Sequence, residues 1–191
     1  MSVYRIKGNV RSYFALGLNS LELAQQIDRM DALATLVNFP SMNASLADMW
    51  RNVGTSFTKE SKTASTRPDL MIWSGGALYL SEKAHEALKE HLDKEGEFLA
   101  IEVNGAQGYI FNCLEFAQED SDYTVSRYCD GEVVGLENLE FKQADISARI
   151  LFKSQREGCG TLFCAEIFKD LCVSNGLHGL IFDQQLLNPF I

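Results

Sequence analysis

Phe98-Leu99-Ala100-Ile101-Glu102-Val103-Asn104-Gly105-Ala106-Gln107-Gly108-Tyr109-Ile110-Phe111-Asn112-Cys113-Leu114 is the stretch that decides the fold. Two apolar runs flank Asn104-Gly105, and Asn-Gly accepts the positive φ angles that a tight hairpin turn demands. A second pair of runs, 123–128 and 132–136, flanks Asp130-Gly131 in the same way. Further strand patterns lie at 3–10, 70–73, 78–80, 146–152 and 177–182. Hairpins followed by helices, without strict βαβ alternation, predict an α+β fold with a mainly antiparallel sheet of hairpins and packed helices.

The helices read from apolar spacing and caps. After Asn19, with Glu22 three residues on like a capping box, Leu23, Ile27, Met30, Leu33 and Leu36 recur at helical steps until Asn38 and Pro40 stop them. A second short helix is expected over 45–53, with Leu46, Met49, Trp50 and Val53 on one face. Residues 54–68 are rich in small hydroxyl side chains and read as an exposed linker. The expected organisation is therefore a small N-terminal lobe of a strand and helices, 1–55, and a main α+β domain, 68–191. In that domain Ser81 caps a helix reaching His91 and Leu92. A last helix covers 162–175, with Cys164, Ile167, Phe168, Leu171 and Cys172 in one arc. Residues 78–88 and 162–172 echo each other: a short apolar strand, then a helix opening with glutamate.

Of the 191 residues, 46% are hydrophobic and 23% charged, enough for a sizeable core. No stretch approaches the roughly 20 apolar residues that a membrane helix needs, so no membrane partner is expected. The N-terminus lacks the apolar run of a signal peptide, which points to the cytoplasm. Five cysteines, none at Cys-x-x-Cys spacing, read as reduced, mostly buried thiols. A net charge of −9 repels phosphate backbones and argues against nucleic acid, while it would speed encounter with a basic protein.

Chemistry is sparse. The phosphate-cradling and dinucleotide glycine motifs are missing, and Gly75-Gly76 reads as a bend. His85-Glu86 opens like a zinc-protease helix, but Lys89 stands where the second histidine belongs. His91 reads as a half-buried packing residue, and His178 as an imidazole beside helix-terminal carbonyls. No catalytic residue, metal ligand or cofactor is assigned. The remaining candidate is the run Glu115, Glu119, Asp120 and Asp122, read as a negatively charged docking edge for a basic partner, as a solvated turn, or as carboxylates for metal or acid–base chemistry.

The segment 69–84, Asp-Leu-Met-Ile-Trp-Ser-Gly-Gly-Ala-Leu-Tyr-Leu-Ser-Glu-Lys-Ala, resembles a bacterial family first catalogued as a domain of unknown function. That family was later assigned as immunity protein family eleven of polymorphic toxin systems. The likeness continues in 96–99, 109–112, 150–153, 162–171 and 175–182, with Ala165 standing where members tend to carry a helix-capping residue. The resemblance implies a cytoplasmic protein that neutralises a cognate toxin by tight binding, with no catalytic residues to carry over. The alternatives are a small-molecule-binding protein or an enzyme using the acidic run, and a regulatory subunit gripped through its N-terminal helices.

Overall fold

The computed structural model describes residues 1–190. The chain opens with β1 (Val3–Gly8), β2 (Ala15–Leu16), α1 (Ser20–Gln26), a 3-10 turn at Met30–Ala32, α2 (Leu33–Met42), β3 (Val53–Thr55) and β4 (Phe57–Thr58). It continues through β5 (Leu70–Ser74), β6 (Ala77–Ser81), α3 (Glu82–Leu92), β7 (Gly96–Val103) and β8 (Ala106–Cys113). It ends with β9 (Val125–Cys129), β10 (Glu132–Asn138), α4 (Gln143–Ile146), β11 (Leu151–Phe152), β12 (Phe163–Ala165), α5 (Glu166–Ser174) and β13 (Leu180–Asp183). The fold is α+β, and every strand pairing in its sheets is antiparallel except that of β3 with β7.

Two sheets and the helices between them make three cores. A five-stranded sheet runs in the order β3-β7-β8-β6-β5, and a four-stranded sheet in the order β11-β12-β1-β13. Side-chain alternation splits the five-stranded sheet between two of the cores. Ala77, Tyr79 and Ile110 join Leu23, Leu36 and Phe39 of α1 and α2. Leu78, Leu80 and Phe111 join Leu88 of α3, Phe168 of α5 and Tyr4 of the other sheet. That is why residues 77–80 are buried on both faces and read as a continuous apolar run. The third core lies beyond β12, where Phe152 and Phe163 meet Phe141 and Ile146.

Both hairpins form as the turns dictate. Asn104 and Gly105 take φ of 53° and 80°, and Asp130 and Gly131 take 51° and 85°. The echoed strand-to-helix corner recurs at β6–α3 and β12–α5. Ser81 accepts from the Ala84 N–H at 3.2 Å. Ala165 gives no side-chain cap, and the Glu166 N–H donates instead to the Ser2 carbonyl at 3.0 Å.

Several expectations fall. The long helix after Asn19 has its capping box, but it ends at Gln26 because Asp28 adopts a left-handed φ of 56°. Pro40 does not stop α2; it lies inside it. A proline there cannot donate to the Leu36 carbonyl, and the Ser20 hydroxyl does so at 3.0 Å. Ser20→Ala should therefore lower stability by about 1–2 kcal/mol. Pro40→Ala in that background, which restores the N–H, should recover much of the loss in urea melts.

The helix expected over 45–53 is a single turn, with Trp50 N–H donating to Leu46 O at 3.0 Å. The Glu97 carboxylate takes the Ser45 hydroxyl and the Leu46 N–H at 2.6 Å each. The chain then extends as β3 beside β7. The expected linker is therefore pinned: β3 and β4 are paired, and Ala64 is buried. The strand expected over 146–152 is reduced to Leu151–Phe152, preceded by α4 and a turn.

The N-terminal helices are a cap on the five-stranded sheet and share its core, while β1 is a central strand of the other sheet. Packing thus does not divide the chain into 1–55 and 68–191.

Candidate interaction surface

The acidic run sits between β8 and β9, and the structure separates its members. Glu115 forms an ion pair with Arg149 at 2.7 Å. Arg149 also grips Asp145, with Nε 2.8 Å from Oδ2, and Asp145 takes the Gln118 N–H at 2.8 Å. This pairing holds the Asp145 carboxyl below its ordinary range. Glu119 accepts from the Ser154 hydroxyl at 2.8 Å and from the Arg156 N–H at 3.2 Å. Glu115 and Glu119 thus fasten the segment to the chain around 145–156. Asp120 takes the Asp122 N–H at 3.0 Å in a local turn, and Asp122 is exposed. Among the described residues no group of three or more His, Cys, Asp or Glu side chains is placed to hold a metal ion.

Asp120 and Asp122 stand at the root of the β9–β10 hairpin, which pairs with no other strand among the described residues. The root is tied down firmly. The Asp120 N–H donates to Glu140 O at 2.8 Å. The Thr124 hydroxyl donates to Glu140 O at 2.9 Å and accepts from the Glu140 N–H at 3.1 Å. Asn138 Nδ2 donates to Tyr123 O at 2.8 Å. Arg156 reaches across to Thr124 O and to the Ser126 hydroxyl. Leu139 and Phe141 anchor the return strand in the third core.

Beyond the root the hairpin is open. Tyr123, Val125, Tyr128, Val133 and Val134 are five of the thirteen large apolar side chains exposed among the described residues. Register places Tyr128 opposite Val133 and Ser126 opposite Leu136, on one face. Leu136 leans on the third core; further along that face toward the turn, Tyr128 and Val133 are 65% and 60% exposed. Single exposed apolar residues are ordinary, but a concentration on one element marks a contact surface. Sequence reading found the hairpin and the acidic run, and missed that the apolar residues between them are solvent-facing. Its signal was an alternation with apolar residues in both phases (Val125, Tyr128, Val133, Val134) and no second layer of strands to cover them.

The other perturbed groups are structural. Tyr79, buried against Phe57, has its hydroxyl pushed up to about 12. His85, not His91, is the packing histidine: it stacks on Tyr109 at 3.6 Å, burial lowers its pKa, and His91 is exposed. His178 is exposed, and its backbone bonds to Asp69. All five cysteines are free thiols, and all but Cys129 are buried.

Glu95 is buried and accepts the N–H groups of Ile150, at 2.6 Å, and Leu151. Desolvation raises its pKa from the ordinary 4.5 to about 7. The folded state therefore holds this proton more tightly than the unfolded chain. Its stabilising effect is complete below pH 4.5 and is lost as pH rises through 7. Glu95→Gln should weaken the protein, because an amide NH₂ meets a backbone N–H. It should also flatten the fall of the urea midpoint over that pH range.

No family model matches the chain, and no curated protein is similar to it. Among the described residues no helix is long and apolar enough to cross a membrane.

Proposed function

We propose that this chain is an immunity factor that neutralises a cognate bacterial toxin by direct binding, and that it meets a basic face of that toxin. One observation carries the reading: a two-stranded hairpin, rooted by several hydrogen bonds, holds out exposed aromatic and aliphatic side chains beside exposed carboxylates. Apolar anchors ringed by charge are the anatomy of protein–protein recognition. The net charge of −9 supplies the long-range attraction that speeds such an encounter. The ordered blocks between 68 and 183 that resemble an immunity family support the same conclusion, as does a sequence without an evident nucleophile–base pair. Binding takes place in the cytoplasm of the producing cell.

The test is co-expression with the large protein encoded immediately upstream. Restored growth, with a complex that survives purification, is the expected outcome. Toxicity unaffected by this chain, with no complex, would reject the reading for that pair.

A further inference from the structure

We propose that the Tyr128–Val133 face of the β9–β10 hairpin is an insertion arm that enters an apolar cleft flanked by lysine or arginine on the partner protein. The inference rests on the binding function proposed above and names the surface and the chemistry that it meets.

Three features of the hairpin point to an anchor and not to an incidental loop. The apolar side chains are large, and Tyr128 and Val133 sit side by side as cross-strand neighbours. Tyrosine brings a broad contact area with few torsions to freeze. The arm is also preorganised. Its turn has the two positive φ values that Asp130-Gly131 accepts, and its root is held by the Thr124–Glu140 pair and by Asn138 and Arg156. An arm held in its binding shape loses little entropy on docking.

The charges choose the occupant. Asp122, Asp130, Glu132 and Glu137 are exposed along the hairpin and its root, against two cations, Arg127 on its strands and Arg156 bonded across its root. A second copy docked arm to arm would bring these like charges together. A cleft with cationic walls would pair with them while its floor takes Tyr128 and Val133. The bulge that sets Val134 between Val133 and Gly135 makes β10 irregular and a poor edge for strand addition, which favours side-chain insertion over sheet extension.

The experiment compares the full-length chain with its Tyr128→Ser/Val133→Ser variant, both titrated with the purified upstream-encoded protein. Neither side chain contributes to a core, so the thermal midpoint should stay within a few degrees. Affinity is expected to fall about 100-fold or more. Hydrogen exchange on the wild-type complex, which needs no variant, should show new protection across residues 123–138. An unchanged affinity, or no protection there, overturns the arm while leaving the immunity function standing. Failure of the wild-type chain to bind overturns both. Dimerisation of the free chain that the double substitution abolishes would show that the arm serves a second copy, and would overturn the proposed occupant.

Discussion

Gly179→Ala should lower stability by more than about 4 kcal/mol, the largest effect expected of any alanine replacement at a glycine in this chain. Gly179 has a φ of +123°, a region closed to side chains with a β carbon. That carbon would lie 2.0 Å from the Leu70 carbonyl oxygen and 2.8 Å from Pro68 Cβ. The backbone on both sides cannot give way. The His178 carbonyl accepts from the N–H groups of Asp69 and Leu70 at 2.9 and 3.0 Å, and the Asn9 N–H donates to Gly179 O at 3.0 Å. This knot joins the edge strand β5 of one sheet to β1 and β13 of the other, so strain there pulls the two sheets apart. In a domain of this size the loss corresponds to a fall in thermal midpoint of at least about 8 °C. Gly54→Ala is the control, since no atom lies within 4 Å of its added carbon. A Gly179→Ala midpoint close to wild type would contradict this account of the sheet junction.

The second large effect is expected at Lys153, whose side chain is wholly buried and forms no ion pair with a carboxylate among the described residues. Its ammonium donates to the Asn43 side-chain oxygen and to Pro40 O, and lies 5.4 Å from the centre of the Phe116 ring. Both oxygens belong to the C-terminal end of α2, where the helix dipole is negative and a cation is favoured. Asn43, in the left-handed conformation at φ 49°, is the residue that ends that helix. Burial lowers the Lys153 pKa, so its charged form is held by these oxygens against a desolvation penalty. Because the folded pKa is depressed, the folded state binds its proton less tightly than the unfolded chain does. Stability should rise with pH in the alkaline range until the ordinary lysine pKa of 10.5 is passed.

Lys153→Ala leaves a cavity and two unpaired acceptors, and should lower stability by about 3–5 kcal/mol. Lys153→Met, which keeps the volume, should recover part of that and remove the alkaline pH dependence. Equal losses from the two substitutions in urea unfolding would show that packing contributes nothing at this site.

The parts of the fold that could be read in advance are those with local causes. Asn104-Gly105 and Asp130-Gly131 announce both hairpins because few residue pairs tolerate two successive positive φ angles. The Asn19–Glu22 box and Ser81 announce helix starts because their side chains answer backbone N–H groups three residues away. What stayed hidden has distant causes. The apolar period runs on past Asp28, whose left-handed conformation breaks the helix against that period. Pro40 looks like a stop until Ser20, twenty residues earlier, takes over the N–H that proline lacks. The alternation in 146–152 is overridden because Arg149 is drawn to Asp145 and Glu115. Residues 54–55 look like linker because their strand partner, β7, is almost fifty residues further on.

The candidate surface divides along the same line. Its charge was legible residue by residue, but the partners that tie Glu115 and Glu119 to the rest of the chain, Arg149 and Ser154, lie 34 and 35 residues away. Asp120 and Asp122 stay at the foot of the arm. The apolar side chains of the arm resembled core residues in sequence; only the absence of a covering layer in the structure turns them outward.

The most direct test of the central claim is a calorimetric titration of the purified chain with the purified toxic domain of the upstream-encoded protein, at low and at moderate salt. The account predicts a tight one-to-one complex at low salt and a weaker, still measurable one as salt screens the carboxylates around the arm. Absence of binding heat at both salt concentrations, with both proteins folded, would contradict it.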